Sequence, residues 1–380
     1  MLEFALRGGW VPDCSSQFFM IRSRVAVLKT TPSTVIEDYK CLMHLAEYQR
    51  FLPQHKETAL KINISWNYFY PACSTTPWQL DGVIATLLED GYCKEKLYAC
   101  HNRTVVVSAK RGEVANKHKQ VVQGKYGLRN IHLYEKGEEW IRYRPEAKMR
   151  VLDAVFPKGI RIPKRLVGSN IIHLPTMKTH VFTQMTGAVK NAFGGLLFEK
   201  RHWTHSVIHE TLVDLLAIQK EIHSGIFAVM DGTFAGDGPG PRCLVPHVKN
   251  YILASGDMVA IDAVAAKMMG FDPLSIRFIR LAHEQGLGCG DVREIDVVGE
   301  DISGVNFHFV VGDTLASRGQ KMIYWGPLKR LEHFLLRTVL APWAYAASFL
   351  YHDVYWYHCV GSARVKQALK TGWGKLFATY

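Results

Sequence analysis

The chain has 380 residues, 48% apolar and 21% charged, so it can bury a sizeable core and no segment has a disordered composition. Lys and Arg number 46 against 34 Asp and Glu, a formal net charge of +12, which favours an anionic partner. Collagen-like, coiled-coil, repeat and disulfide-scaffold proteins are excluded.

In chain order, RVAVLKT (24–30) reads as a strand, and Thr31-Pro32 opens a helix reaching about Phe51. ALKINISW (59–66) is a second strand. Thr76 is then a candidate N-cap, Pro77 the first helical residue and Gln79 the capping-box partner of a helix stopped by Gly91. KLYACHN (96–102) is a third strand. The alternation predicts an α/β fold with a mostly parallel sheet built from βαβ units and flanking helices. Residues 110–150 read as a basic excursion with short strands near 131–134 and 139–144. Further strands are predicted at 169–175, 225–232, 251–256, 294–300 and 306–312, and helices at 205–223, 257–270 and 273–286. This organisation suggests an α/β unit over 1–320, in one or two lobes, and a helical, aromatic-rich cap over 321–380. In that cap the longest uncharged run, Thr338 to Tyr351, has 14 residues. A spanning helix needs about 18 or more. The tail is therefore expected to cover the core, with peripheral membrane contact as the alternative.

Eight cysteines, at 14, 41, 73, 93, 100, 243, 289 and 359, include no C-x-x-C pair. They read as reduced residues of a cytoplasmic protein, and no intrinsic iron–sulphur cluster is expected. The start, MLEFALRGGWVPDC, lacks a clean apolar run, so no signal peptide is expected.

The densest chemistry lies in 174–205, where Lys178, His180, Lys190, Asn191, Lys200, Arg201, His202 and His205 fall within 32 positions. Buried charges are costly unless paired, so this segment reads as an anion- or substrate-binding loop rather than core. Lys binds anions, and His transfers protons near neutral pH or ligates metals. A second constellation, VMDGTFAGDGPGPR (229–242), places Asp231 and Asp237 where open α/β sheets hold ligands, and the two could share a divalent cation such as Mg²⁺ or a transition metal. Asp257 reads as an N-cap, whereas Asp262 lies in an apolar helix and calls for a Lys or Arg partner. Lys61 and Asn63 project from one strand face, and Thr75 and Thr76 sit at a helix start, where free N–H groups attract anions.

Several of these segments, in this order, resemble the family called domain of unknown function 362, some of whose members are fused to iron–sulphur modules. The matching pieces are ALKINISW, CSTTPWQLDGVIATLLEDG, LPTMKTHVFTQMTGAVKNAFGGL, MDGTFAGDGPGP and ILASGDMVAIDAVAAKMMGFDP, across roughly 55–300. The family usually has Lys-Pro-Asn where this chain has Lys61-Ile62-Asn63, and the ferredoxin-type cysteines are missing. The resemblance implies no particular reaction. The order His180, Lys190, His205 also resembles the His–Lys–His order of the lactate racemase family, in which a Lys carries a nickel-pincer nucleotide.

Together these features predict an enzyme of isomerase or lyase type acting on a small carboxylate or phosphate. His180, Lys190 and His205 would carry the acid/base chemistry. Lys61, Asn63, Thr75, Thr76, Lys178, Asn191 and Asp262 would bind or orient the substrate, and Asp231 and Asp237 would hold the metal. The rival expectation is a non-catalytic accessory or membrane-surface protein partnering a redox complex. No nucleic-acid partner is expected, because the aromatics lie mostly in the apolar tail rather than among Lys and Arg.

Overall fold

Short apolar runs rich in Val, Ile, Leu and Ala set the strands. The computed structural model describes residues 22–102, 104, 106–338 and 342–380, without the side chains of 199 and 200. Its strands are β1 (Arg24–Lys29), β2 (Thr58–Ile62), β3 (Leu97–His101), β4 (Arg129–His132), β5 (Trp140–Tyr143), β6 (Ile160–Pro163), β7 (Asn170–Leu174), β8 (Thr176–His180), β9 (Gln184–Met185), β10 (Gly225–Asp237), β11 (Val245–Ser255) and β12 (Asp296–Gly299). The main sheet has the order β12-β1-β11-β10-β7-β2-β3-β4, with β8 pairing β10 and β9. Pairing is parallel throughout this order, except that β11 runs antiparallel to both β1 and β10. Strands β5 and β6 form a separate hairpin.

Alternate residues of each strand enter opposite cores, as the pleat requires. Val25 and Val27 belong to one core, with Leu212, Leu216, Ile261 and Phe278. Ala26 belongs to the other, with Tyr39, Leu42, Trp78 and Val83. Helices Val35–Leu45 and Pro77–Glu89 therefore cover one face of the sheet, and helices Ile208–Ile222, Met258–Met269 and Arg277–Glu284 cover the other.

Two helix starts show the expected chemistry. Thr76 and Gln79 form a reciprocal capping box, and Asp257 accepts the amides of Val259 and Ala260. The tail also packs as a cap over the second core. Trp373 lies against Trp78 with ring centroids 5.1 Å apart, Phe377 stacks on Phe69 at 3.8 Å, and Tyr380 donates to Asp81 at 2.9 Å.

Four expectations are corrected. The first helix begins at Val35 rather than at Pro32 and ends at Leu45, because Glu47 turns into the left-handed region before a separate 3-10 turn at Tyr48–Arg50. Strand β10 does not end at Asp231-Gly232. It bulges between Gly232 and Phe234 and continues to Asp237 in a long hairpin with β11. Residues 306–312 form no strand. Instead the amides of Phe307 and Phe309 satisfy the last carbonyls of helix Met258–Met269, at Met268 and Met269. The basic excursion is also more ordered than its composition suggests, since it contains the helix Ala109–Ala115 and adds β4 to the main sheet. The amino-terminal segment with Cys14, the side chain of Lys200 and residues 339–341 of the tail lie outside the described residues.

Candidate functional site

Parallel strands direct their carboxyl ends to one edge of the sheet, where open α/β folds hold ligands. A cavity of about 240 Å³ opens there. From β2 and the turn after it come Lys61 and Asn63, from β3 His101, and from β8 His180. Lys190, Asn191, Arg201, His202 and His205 follow from the dense segment, and Arg242 from the Gly-Pro loop. No Asp or Glu is among the described residues that line it.

Neither cavity lysine has a carboxylate partner among the described residues. Lys61 donates to the Ile62 carbonyl at 2.6 Å, and burial pushes its pKa down to about 8. Lys190 lies over the Phe193 ring, 4.9 Å from its centroid. Burial, then the charges of Lys178 and Arg201, push Lys190 down to about 7. The Gly194-Gly195 pair makes this crowding feasible. A Cβ on Gly195 would stand 2.5 Å from Lys61 Cε, so only glycine lets the backbone approach that side chain.

Two histidines present opposite chemistry. His180 Nδ1 accepts the Phe182 amide at 3.2 Å, so the neutral ring carries its proton on Nε2. His205 Nδ1 donates to the His202 carbonyl at 2.9 Å, so its Nε2 carries the lone pair. Both rings pack edge-on to Phe182, each with centroids 5.7 Å away. Burial, then the charge of Lys190, depresses both pKa values, that of His205 to about 3. One ring thus offers a donor and the other an acceptor toward the same cavity.

Other sequence candidates fall elsewhere. Lys178 is fully buried and donates to the Cys73 carbonyl and Thr176 Oγ1, both at 2.7 Å, away from the cavity lining. Thr75 donates to the Leu174 carbonyl at 2.7 Å, and Thr76 is consumed by its cap and by Asp231. The amides of Thr75, Thr76 and Gln79 at this helix start are satisfied within the chain and so are not offered to a ligand.

Asp262 has no cationic partner among the described residues. It accepts the amides of Ala188 and Val189 at 2.5 and 3.0 Å and so fixes the turn that delivers Lys190. Gly187, at φ +63°, belongs to this turn, because a Cβ there would stand 2.3 Å from the Asp262 carboxylate. Asn191 also positions: it donates to the Lys61 carbonyl at 2.9 Å.

The acidic pair does not form a metal centre. Asp231 and Asp237 are six residues apart on one strand, about 20 Å at the usual rise per residue, far beyond a shared ion. Asp231 is fully buried and accepts from Tyr39, Thr76, Trp78 and Thr233. Asp237 accepts the amides of Gly238 and Val310.

Sequence reasoning did not single out His101 or Arg242. His101 ends a strand that reads as plain core, and Arg242 follows a Gly-Pro run that reads as a turn.

The profile of the family described as Domain of unknown function (DUF362) matches residues 58–267, more than half of the chain. The chain belongs to this family. The matched span carries every cavity-lining residue named above, from Lys61 to Arg242. The chain is also similar to "Thylakoid-associated protein sll1697" of Synechocystis sp., with 26% identity over 132 residues, which is 34% of this chain and 41% of the relative. The match thus spans about two fifths of that protein. No solved structure matches.

Proposed function

We propose that this DUF362 member is an enzyme acting on a small carboxylate or phosphate by acid/base chemistry. Proton transfer next to the anionic group, leading to isomerisation, racemisation or elimination, suits the residues. The observation that carries this reading is a cavity lined by Lys61, Lys190, Arg201 and Arg242 with no carboxylate among its described residues. Lys61 and Lys190, with no carboxylate partner among the described residues, favour an anion in this confined space, and its entry would restore their depressed pKa values. Lys190 and Lys61 hold the anion. His205 Nε2 takes a proton and His180 Nε2–H gives one. Asn191 and Asp262 are positioning residues, because they act through Lys61 and the Lys190 turn.

Lys190→Met tests the reading. Asp262 is satisfied by backbone amides, so the change strands no buried carboxylate, and the melting temperature should stay within the scatter of replicates. Loss of one charge-assisted contact should weaken binding of phosphate, or of a small carboxylate found by screening, by about 1.5–3 kcal/mol, or roughly 10- to 150-fold. Unchanged affinity for every anion that the wild type binds would sink this reading.

A second reading rests on a separate observation. Trp325, Phe334, Trp343, Phe349, Leu350 and Tyr355 are all large, apolar and about half exposed or more, and all lie in the tail. Among the described residues no helix is long and apolar enough to cross a membrane. Aromatic residues with nearby Lys and Arg suit the headgroup level of an anionic bilayer. The relative's description as thylakoid-associated supports peripheral attachment. Cosedimentation with vesicles containing anionic lipid, lost in Phe334→Ser/Phe349→Ser, separates this attachment from the cavity's chemistry.

A further inference from the structure

Strands β3 and β4 are parallel neighbours, and their register sets His101 directly opposite His132 at the carboxyl end of the pair. Their rings lie 4.6 Å apart between centroids. The helix Ala109–Ala115, in the connection between the two strands, returns over this end and brings Glu113 between the rings. Glu113 Oε2 stands 2.8 Å from His101 Nε2 and 2.9 Å from His132 Nε2, and all three ligand atoms lie within 4.8 Å of one another.

We propose that His101, Glu113 and His132 bind one first-row divalent cation, best matched by Zn²⁺. Two imidazoles and one carboxylate are the donor set that zinc takes when a fourth position is left for water or another ligand. The surrounding shell is built for it. Glu135 lies 3.1 Å from His132 Nδ1, and a bond there turns Nε2 of that ring toward the centre. Asn130 donates to Glu113 at 2.7 Å and orients the carboxylate. All three ligands are largely buried, and His101 Nδ1 is a buried nitrogen with no hydrogen-bond partner. A ring held at only one nitrogen needs little movement to turn onto an ion. Because His101 also lines the cationic cavity, the ion would fix one wall of it. This cluster is distinct from the Asp231 and Asp237 pair and does not depend on the cavity's being catalytic.

The test is Zn²⁺ titration of chelator-stripped full-length protein against a chromophoric zinc indicator. The expected result is one tight equivalent, absent in Glu113→Gln and in His132→Asn. Glu135 is more exposed, so Glu135→Gln should fold normally and weaken the same equivalent by about 10- to 100-fold. The equivalent should survive in His180→Ala/His205→Ala. Absence of a tight equivalent in the wild type would overturn the assignment. So would an equivalent that persists in Glu113→Gln and His132→Asn but disappears from the His180/His205 double variant.

Discussion

Unfolding free energy is expected to fall by about 6 kcal/mol between pH 7 and pH 4, from two buried histidines alone. His118 and His173 have no exposed surface. Burial pushes their pKa values down to about 4 and about 3. Both use Nε2–H as a donor, His118 to the Thr75 carbonyl at 2.6 Å and His173 to Gln219 at 2.7 Å. Their other nitrogens cannot take a proton without loss. That of His118 is buried and unpartnered, and that of His173 faces the Asn191 amide at 3.4 Å. The folded pKa values lie below the unfolded value near 6.5, so the unfolded chain protonates first. Their contribution is intact above about pH 6.5 and is lost as pH falls toward 4. Each ring costs about 3 kcal/mol at pH 4, against a typical total stability of 5–15 kcal/mol. Urea unfolding at pH 7.5, 6, 5 and 4 measures this. His118→Gln keeps a donor but cannot charge, so it should flatten the decline. A stability that stays level from pH 7 to pH 4 would show that these rings charge without penalty. Because Asn191 bridges His173 and Lys61, the same acidification should loosen the cavity floor before global unfolding.

Asp231→Ala is expected to destabilise the fold by about 3–5 kcal/mol. The carboxylate gathers the Tyr39 hydroxyl at 2.7 Å, the Trp78 indole at 2.8 Å, and the hydroxyls of Thr76 and Thr233 at 3.0 and 2.8 Å. These donors come from both helices on that face of the sheet and from β10 itself. Removing the acceptor leaves the Tyr39 hydroxyl and most of the indole's bonding unsatisfied in a dry core. Urea unfolding at pH 7.5 reads the loss. If Asp231 held a metal instead, the variant would keep its stability in chelator and lose an ion. That result would reverse the structural role assigned here.

The three amino-terminal strands and both intervening helices were legible because each signal is local. Strand periodicity, the Thr76-Pro77-Gln79 cap and the Gly91 stop act over three or four residues. The dense segment likewise announced Lys190, His180 and His205, since so many polar groups do not gather in ordinary core. The partners of those groups were not legible. An aspartate in an apolar helix demands something, but sequence cannot say whether a lysine or two backbone amides answer it, and for Asp262 the amides do. Asp231 and Asp237 looked like a pair because Asp-Gly suggests a turn. Only pairing with β11 carries the strand through and separates them. His101, Glu113 and His132 have spacings of 12 and 19 residues and match no motif. Parallel register between β3 and β4, a tertiary fact, brings them together. Sequence by itself determined the α/β class, the Thr76 and Asp257 helix caps and the cationic segment, because these depend on neighbours along the chain. Tertiary structure decided which charges are satisfied and which face a cavity, because that depends on groups far apart in the chain, such as Thr76 and Asp231, 155 residues apart.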